Sequence, residues 1–314
     1  MKKHVNERVF FLIFKIISDI LCIDDIHSIE GDLCMEILSV VDLCKSYEKF
    51  DLKNVSFTLE QGYIMGFIGR NGAGKTTTLK SIMRLVHPKS GKVTILGKDF
   101  AENEFYCKQK IGFVLGGVDY YPKKKLKIIT DVTKRFFPEW DDEKHLSLLK
   151  RFDLDPEKRI DELSAGMRVK YSLALALSHN AQLLILDEPT SGLDPVSRDD
   201  LLCLFQDLIE DGEHSILFST HITSDLEKCA DYITYIKDGE IIASTEKDLF
   251  LDEYRLVQGP IDKLTSELTE KLIGVRKHKF GFEALIRTRY LPVAEGIEVE
   301  SADLEAIMVH IERG

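Results

Sequence analysis

Residues Gly69 to Thr76 read GRNGAGKT. The six residues before them, Tyr63 to Ile68 (YIMGFI), form a short apolar run of the kind a buried strand shows. After them, Lys75 to Val86 carries Leu79, Ile82, Met83 and Val86 at helical spacing, which predicts a helix over that stretch. The segment therefore reads strand, glycine-rich loop, helix. A chain turning tightly around phosphates needs glycine where a Cβ would clash, and Gly69, Gly72 and Gly74 supply it. Backbone N–H groups of such a loop, with the N-terminus of the helix behind it, make an anion site. Lys75 adds a point charge for the β- and γ-phosphates, and the Thr76 hydroxyl is a ligand for Mg²⁺. Together with Asn71, Ala73 and Thr77, these residues form the expected nucleotide-contacting set, with ATP and Mg²⁺ as the cofactors.

A second stretch fits the first. Leu183 to Glu188 reads LLILDE, four aliphatics closing on two acids. Such a run predicts a strand buried on both faces. Asp187 at its end can hold Mg²⁺, and Glu188 follows at once, placed to polarise an attacking water. By itself an apolar run ending in two acids also describes a surface strand end. Downstream of a phosphate loop, the pair reads as catalytic.

Working outward, Ile37 to Val41 and Val55 to Leu59 alternate as strands. Val93 to Leu96 and Ser215 to Ser219 are further strand candidates, and residues 100–160 read as mainly helical and polar. Tyr232 to Ile236 and Ile241 to Ser244 flank Asp238-Gly239, which predicts a hairpin. Ala165 to His179 is Leu- and Ala-rich and reads as a helix. Strands alternating with helices predict a largely parallel sheet. Lys123, Lys124, Lys125 and Lys127 make a small basic run, readable as a solvated face or as a surface for a partner or anionic headgroups. Beyond about Glu246 the pattern shifts to mixed short elements, closed by a helix with Leu304, Ile307, Met308 and Ile311 on one face. That helix is expected to pack on its own small domain.

The chain has 314 residues and a net charge of −11, a balance that argues against a nucleic-acid binder. None of its six cysteines forms a C-x-x-C pair, so reduced and mostly buried thiols are expected. Near the N-terminus the apolar run Val9 to Phe14 is broken by Lys15, Ser18 and Asp19, too short for a membrane span. Residues 1–34 are expected to be a lead-in without structural role, with Met35 as the natural start; an amphipathic membrane-surface segment is the alternative.

The order of further motifs carries a resemblance. Leu163 to Met167 reads LSAGM, Ser191 to Asp194 reads SGLD after the acidic pair, and His221 stands just past the Ser215 to Ser219 strand. From about Met35 to Glu246 the chain resembles the ATP-binding subunits of ABC transporters. The resemblance implies an α/β fold, a P-loop NTPase core of ABC type with a mixed sheet, flanking helices and a helical signature subdomain. It also implies three segments: 1–34 as an extension, 35–246 as the ATP-binding domain, and 247–314 as a small α+β accessory domain. Tyr47 looks like the aromatic that stacks on adenine, its alternative being a plain strand-end aromatic. Ser164 and Gly166 look like signature residues that reach the γ-phosphate in the opposite subunit, with Ser164 also suited to cap its helix. Asp194 looks like the loop residue that communicates across the dimer, and His221 like the histidine that contacts the γ-phosphate.

The resemblance further implies a hydrolysing motor whose catalytic residues are Glu188, His221 and Lys75. Its partners would be a second ATP-binding subunit and an integral-membrane permease, with no nucleic acid. It would sit in the cytoplasm, held on the inner face of the membrane through the permease. The tail, with FGFEALI at Phe280 to Ile286, looks like that of bacterial exporter subunits that move lipids, peptides or antibiotics. Three positions depart from the family pattern. Gly116 and Gly117, with Asp119 nearby, stand where a glutamine usually follows the Ile111 to Leu115 strand, which puts coupling to transport in question. Ala165 replaces a glycine and Met167 a polar residue. Two other classes remain beside the motor: a soluble ABC ATPase acting on ribosomes or DNA, and an ATP-sensing module with weak turnover.

Overall fold

The computed structural model describes residues 35–115, 121–291 and 295–314. The N-terminal stretch 1–34, with Cys22 and Cys34, and the positions Gly116, Gly117 and Asp119 lie outside the described residues. The strands are β1 (Glu36–Tyr47), β2 (Phe50–Glu60), β3 (Ile64–Ile68), β4 (Ser90–Ile95), β5 (Lys98–Asp99), β6 (Ile111–Val114), β7 (Leu183–Asp187), β8 (Ser215–Thr220), β9 (Tyr232–Lys237) and β10 (Glu240–Glu246). Four more follow: β11 (Tyr254–Gly259), β12 (Leu272–His278), β13 (Gly281–Arg287) and β14 (Glu298–Ser301). The helices are α1 (Lys75–Ile82), α2 (Glu104–Gln109), α3 (Leu126–Thr133), α4 (Asp142–Arg151), α5 (Ala165–Ser178), α6 (Pro195–Ile209), α7 (Thr223–Cys229), α8 (Lys247–Asp252), α9 (Ser266–Thr269) and α10 (Leu304–Ile311).

Three sheets result. The central one runs β10-β9-β3-β8-β7-β6, parallel throughout except for the β9–β10 hairpin. Its strands β3, β7 and β8 are buried along their whole length, which accounts for their unbroken apolar runs. An antiparallel sheet β2-β1-β4-β5 packs over one face, and its inward residues Ile37, Val55 and Leu59 meet Phe67, Leu79 and Leu183. The other face is covered by α5, α6 and α7 through Leu173, Phe205 and Leu226. This sandwich sets the C-terminal ends of β3, β7 and β8 side by side, where parallel α/β sheets place their ligands.

Several expectations are corrected. The helix predicted to Val86 stops at Ile82, because Arg84 turns left-handed (φ 52°) and Leu85 N–H and Val86 N–H both return to Lys80 O. The first two strands are longer than alternation suggested, since bulges between Val40 and Leu43 break the period-two pattern without ending the pairing. Beyond Glu246, β11–β14 form a four-stranded antiparallel sheet ordered β12-β13-β11-β14. Its edge strand β14 is exposed throughout, so no hydrophobic pattern marked it.

The closing helix α10 does not pack on that sheet alone. Leu304, Ile307 and Ile311 join the main core with Leu226 and Ile233, and Leu304 N–H donates to Glu227 at 3.0 Å. The four described cysteines are free thiols, but only Cys107 and Cys229 are buried; Cys203 is exposed and Cys44 half-buried. In the basic run, Lys125 and Lys127 both bind Glu157.

The helical stretch is knit by buried polar contacts. Thr130 Oγ1 lies 3.0 Å from Tyr171 Oη and 3.1 Å from His145 Nε2, while His145 Nδ1 meets Ser178 Oγ at 2.9 Å. His179 stacks on Phe137 with centroids 3.7 Å apart, and its Nδ1 lies 3.1 Å from Gln109 O. Burial holds the His179 imidazole neutral, pushing its pKa from 6.5 to about 4. Unfolded, the ring takes a proton below its ordinary pKa; folded, it does not. Its contribution is therefore complete above that value and is lost as pH falls toward the folded one. Urea titrations should show His179→Gln removing about 2 kcal/mol of the stability loss between about pH 7 and about pH 5. Equal slopes in parent and variant would refute this.

Candidate active site

The loop Gly69 to Gly74 leaves β3 and enters α1 at Gly74, which has φ 118° and leaves only 2.8 Å between a Cβ there and the Phe50 ring. The positive φ is what calls for glycine, and a side chain would also have to displace the tip of the Phe50 ring. Gly69 is fixed from the other side, since a Cβ there would stand 2.3 Å from Ile236 O on β9. Thr78 Oγ1 donates back to Gly74 O at 3.0 Å and secures the first turn of α1.

The loop opens into a cleft of about 620 Å³. Of the residues singled out in the sequence, Tyr47, Asn71, Gly72, Gly74, Lys75, Thr76, Thr77, Glu188 and His221 line it; Lys49, Phe50, Arg70 and Ser191 line it as well. Gly69 and Ala73 are loop residues behind this lining, with Ala73 buried. Tyr47 ends β1 at the rim, 47% exposed, with the Lys45 ammonium 5.2 Å from its ring centroid.

Lys75 is buried to 5% exposure, and its ammonium donates to Gly69 O at 2.7 Å and Arg70 O at 3.3 Å. It also lies 3.3 Å from Glu188 Oε1. The Thr76 hydroxyl donates to Asp187 Oδ2 at 2.8 Å. Ser219 at the end of β8 donates to Asp187 Oδ1 at 2.6 Å, and its Oγ also accepts the Glu188 N–H at 3.0 Å. Glu188 itself is left-handed, with φ 50°. That uncommon conformation turns its carboxylate from the line of β7 into the cleft, where Oε2 accepts the His221 Nδ1–H at 2.9 Å. One carboxylate thus stands between a lysine ammonium and an imidazole N–H.

Ser219 was not legible as a site residue, since it sits in a strand read as apolar. Its signal is a hydroxyl at the strand's end, two residues before His221. Asp225 on α7 was also missed. Burial raises its pKa, and it accepts the Thr190 hydroxyl at 2.6 Å beneath the segment joining Glu188 to Asp194.

Ser164, Gly166 and Asp194 are not in the cleft lining. Ser164 is exposed and caps α5, accepting the Met167 N–H at 3.2 Å. Asp194 caps α6 in the same way, accepting from Val196 N–H and Ser197 N–H at 3.1 Å; hydrogen bonds from Ser197 hold its carboxyl below the usual range. The two helix starts lie close, with room between them for a methyl at most: a Cβ added to Gly166 would stand 3.5 Å from Ser197 Cβ. Ala165 is exposed, so its methyl meets solvent, while Met167 packs against the core.

The donor set fits Mg²⁺, which takes hydroxyl and carboxylate oxygens: Thr76 Oγ1 and the Asp187 carboxylate already meet at the mouth of the phosphate loop. Among the described residues, no group of three or more His, Cys, Asp or Glu forms a self-sufficient metal site. A metal here would share its coordination with phosphate oxygens, as Mg²⁺ does.

Known proteins share this sequence and fold. A family described as ABC transporter matches residues 52–191, from β2 through the acidic pair. The ABC transporter ATP-binding protein YtrB of Bacillus subtilis is 33% identical over 211 residues, covering 67% of this chain and 72% of that protein. The chain belongs to the ABC transporter family of ATP-binding proteins. The bacitracin transport ATP-binding protein BcrA of Bacillus licheniformis is 31% identical over 209 residues, 66% of this chain and 68% of that protein. A solved ATP-binding subunit of an ABC transporter superposes with TM-score 0.61 at 26% identity, covering 68% of this chain and 90% of that one. The ADP- and phosphate-bound cassette MJ0796 shares the fold, with TM-score 0.59 at 23% identity over 67% of this chain and 98% of that one. As an ABC ATP-binding subunit, this chain binds ATP with Mg²⁺ and hydrolyses it.

Proposed function

We propose that this ABC subunit is the motor of an exporter, working with a second ATP-binding subunit and a separate membrane permease that holds it at the inner face of the membrane. Residues 35–246 form its ATP-binding unit and 247–314 an accessory unit. The observation that carries the reading is the split of the motif set. Lys75, Thr76, Glu188 and His221 share one cleft, whereas Ser164 and Gly166 start a helix outside it. A helix N-terminus is a phosphate site, and this one is offered to another chain.

In the cleft, Lys75 and the loop N–H groups bind the β- and γ-phosphates, Tyr47 stacks on the base, and Asn71, Ala73 and Thr77 complete the loop contacts. Thr76 and Asp187 hold Mg²⁺, which when bound neutralises charge on the phosphate oxygens. Glu188 orients a water and accepts its proton; His221 steadies the Glu188 carboxylate and faces the γ-phosphate. The Asp194 turn carries the state of one site to its neighbour. Among the described residues no helix is long and apolar enough to cross a membrane. The name of one relative, the bacitracin transport ATP-binding protein, supports a role in transport, and the outward direction rests on the likeness of the tail to that of exporter subunits.

Affinity purification of the tagged full-length chain from membranes tests the assignment. A polytopic membrane protein is expected to copurify stoichiometrically. Copurification with ribosomes would place the chain among the soluble ABC ATPases instead.

A further inference from the structure

The last turn of the chain reaches the phosphate loop. Glu312, just past α10, has a side chain only 12% exposed. Its Oε1 accepts the Tyr235 hydroxyl at 2.8 Å, and its Oε2 lies 3.7 Å from the guanidinium of Arg70. Arg70 is the second residue of GRNGAGKT, lines the cleft, and accepts the Lys75 ammonium on its carbonyl oxygen. The same helix end is tied to β9 again, where Lys237 Nζ donates to Ile311 O at 2.8 Å. Between those two anchors, Ile236 O backs directly onto Gly69. The β9–β10 turn then grips the far side of the loop through Gly239 N–H to Ala73 O at 3.0 Å.

We infer that Glu312 is a positioning residue for ATP binding: through Arg70 it fixes the phosphate loop, and so couples the C-terminal extension to the nucleotide site. Tyr235 is buried and its phenol stays protonated, because burial and the Glu312 carboxylate both raise its pKa; it therefore serves as a permanent donor holding Glu312 in place. With Oε1 held, Oε2 is left facing Arg70. The Arg70 guanidinium, though reached by water, is drawn toward this largely buried carboxylate, and moving it away leaves Glu312 short of its cation. Restraining Arg70 restrains the carbonyl that receives Lys75, and the ammonium keeps its place. The guanidinium is largely exposed, so water screens the pair and the effect is moderate.

This inference rests on the phosphate-loop reading, and the experiment separates the two. ATP affinity of the full-length chain is measured with a fluorescent ATP analogue and unlabelled ATP as competitor. Glu312→Gln keeps an acceptor for Tyr235 and removes only the charge. It is expected to raise Kd for ATP about two- to fivefold, with a matching rise in KM and little change in kcat. Arg70→Met, at an exposed side chain, should give the same rise, and also serves should Glu312→Gln fold poorly. The double variant should be no worse than either single one. Unchanged or tighter binding in both single variants, or effects that multiply in the double variant, would overturn the inference. Lys75→Ala is the control for the site itself: parent-like ATP affinity there would sink the phosphate-loop reading, whatever Glu312 does.

Discussion

Glu188→Gln is expected to bind ATP as tightly as the parent while hydrolysing it about 10²- to 10⁴-fold more slowly, the range set by loss of a general base. The geometry argues for so clean a separation. The Glu188 N–H is held by Ser219, through both its Oγ at 3.0 Å and its carbonyl at 3.1 Å. That anchorage belongs to the backbone and survives the substitution, as does the left-handed turn. A glutamine there keeps the shape and can still accept from His221 Nδ1 through its amide oxygen. It cannot take a proton from water, and it loses the charge that faces Lys75 at 3.3 Å. Freed of that competitor, the ammonium is fully available to phosphate, so affinity should hold or improve. With ATP retained and not consumed, the two-subunit closed state should accumulate, visible as an ATP-dependent shift on size-exclusion chromatography. Turnover within about twofold of the parent would remove Glu188 from the role of base, because a general base contributes at least about a hundredfold.

How much of this could be read in advance follows from how the interactions are spaced. The loop, the helix behind it and the Asp187–Glu188 pair are local patterns, and each is legible because strand, turn and helix chemistry repeat within a few residues. Ser164 was legible as a cap for the same reason. Ser219 was not, since its hydroxyl acts across a parallel sheet from Asp187, and one serine near the end of a buried strand is too slight a local signal to name its distant partner. The Arg70–Glu312 contact joins the phosphate loop to the chain's last turn, a pairing that exists only once α10 has docked on β9. The end of α1 was misplaced because helical spacing continues through Met83 and Val86, while the stop is set by backbone bonds back to Lys80. In the tail, β14 (EVES) has one apolar residue, the exposed Val299, and so no hydrophobic alternation; it is a strand because β11 offers an edge, through pairs such as Val257 with Val299. Local chemistry thus reached the groups that line the cleft, whereas the groups that hold them arrive from distant segments.

The second large effect follows from the split motif set and concerns two damaged chains together. Lys75→Ala removes the buried ammonium of the phosphate loop, and Ser164→Arg puts a long charged side chain at the exposed start of α5. Each alone should leave little ATPase activity, since every site in a dimer of identical subunits would carry the defect. Their structural costs differ from their functional ones: Ser164 gives up one cap bond to Met167 N–H, worth about 1 kcal/mol, so the variant should remain folded. Now let the two proteins be mixed. In a two-fold dimer, one subunit's loop meets its partner's signature, so a mixed pair has one doubly damaged site and one intact site. Random pairing makes half the dimers mixed, each with one of two sites whole, so activity should return to about a quarter of the parent rate. A single cleft complete in one chain predicts no such recovery, because neither variant possesses an undamaged set. Recovery also names the partner, since it requires that a second copy of this chain can supply the missing helix start. Should activity stay at the level of the separate variants while each still binds its partner permease, the opposing signature must come from a different ATP-binding subunit. The closeness of Ser197 to Gly166 makes the same experiment sensitive to Asp194. The cap that Asp194 places on α6 sets Ser197 against the signature, so Asp194→Ala in the Lys75→Ala chain should weaken the recovery although that chain's own loop is already dead.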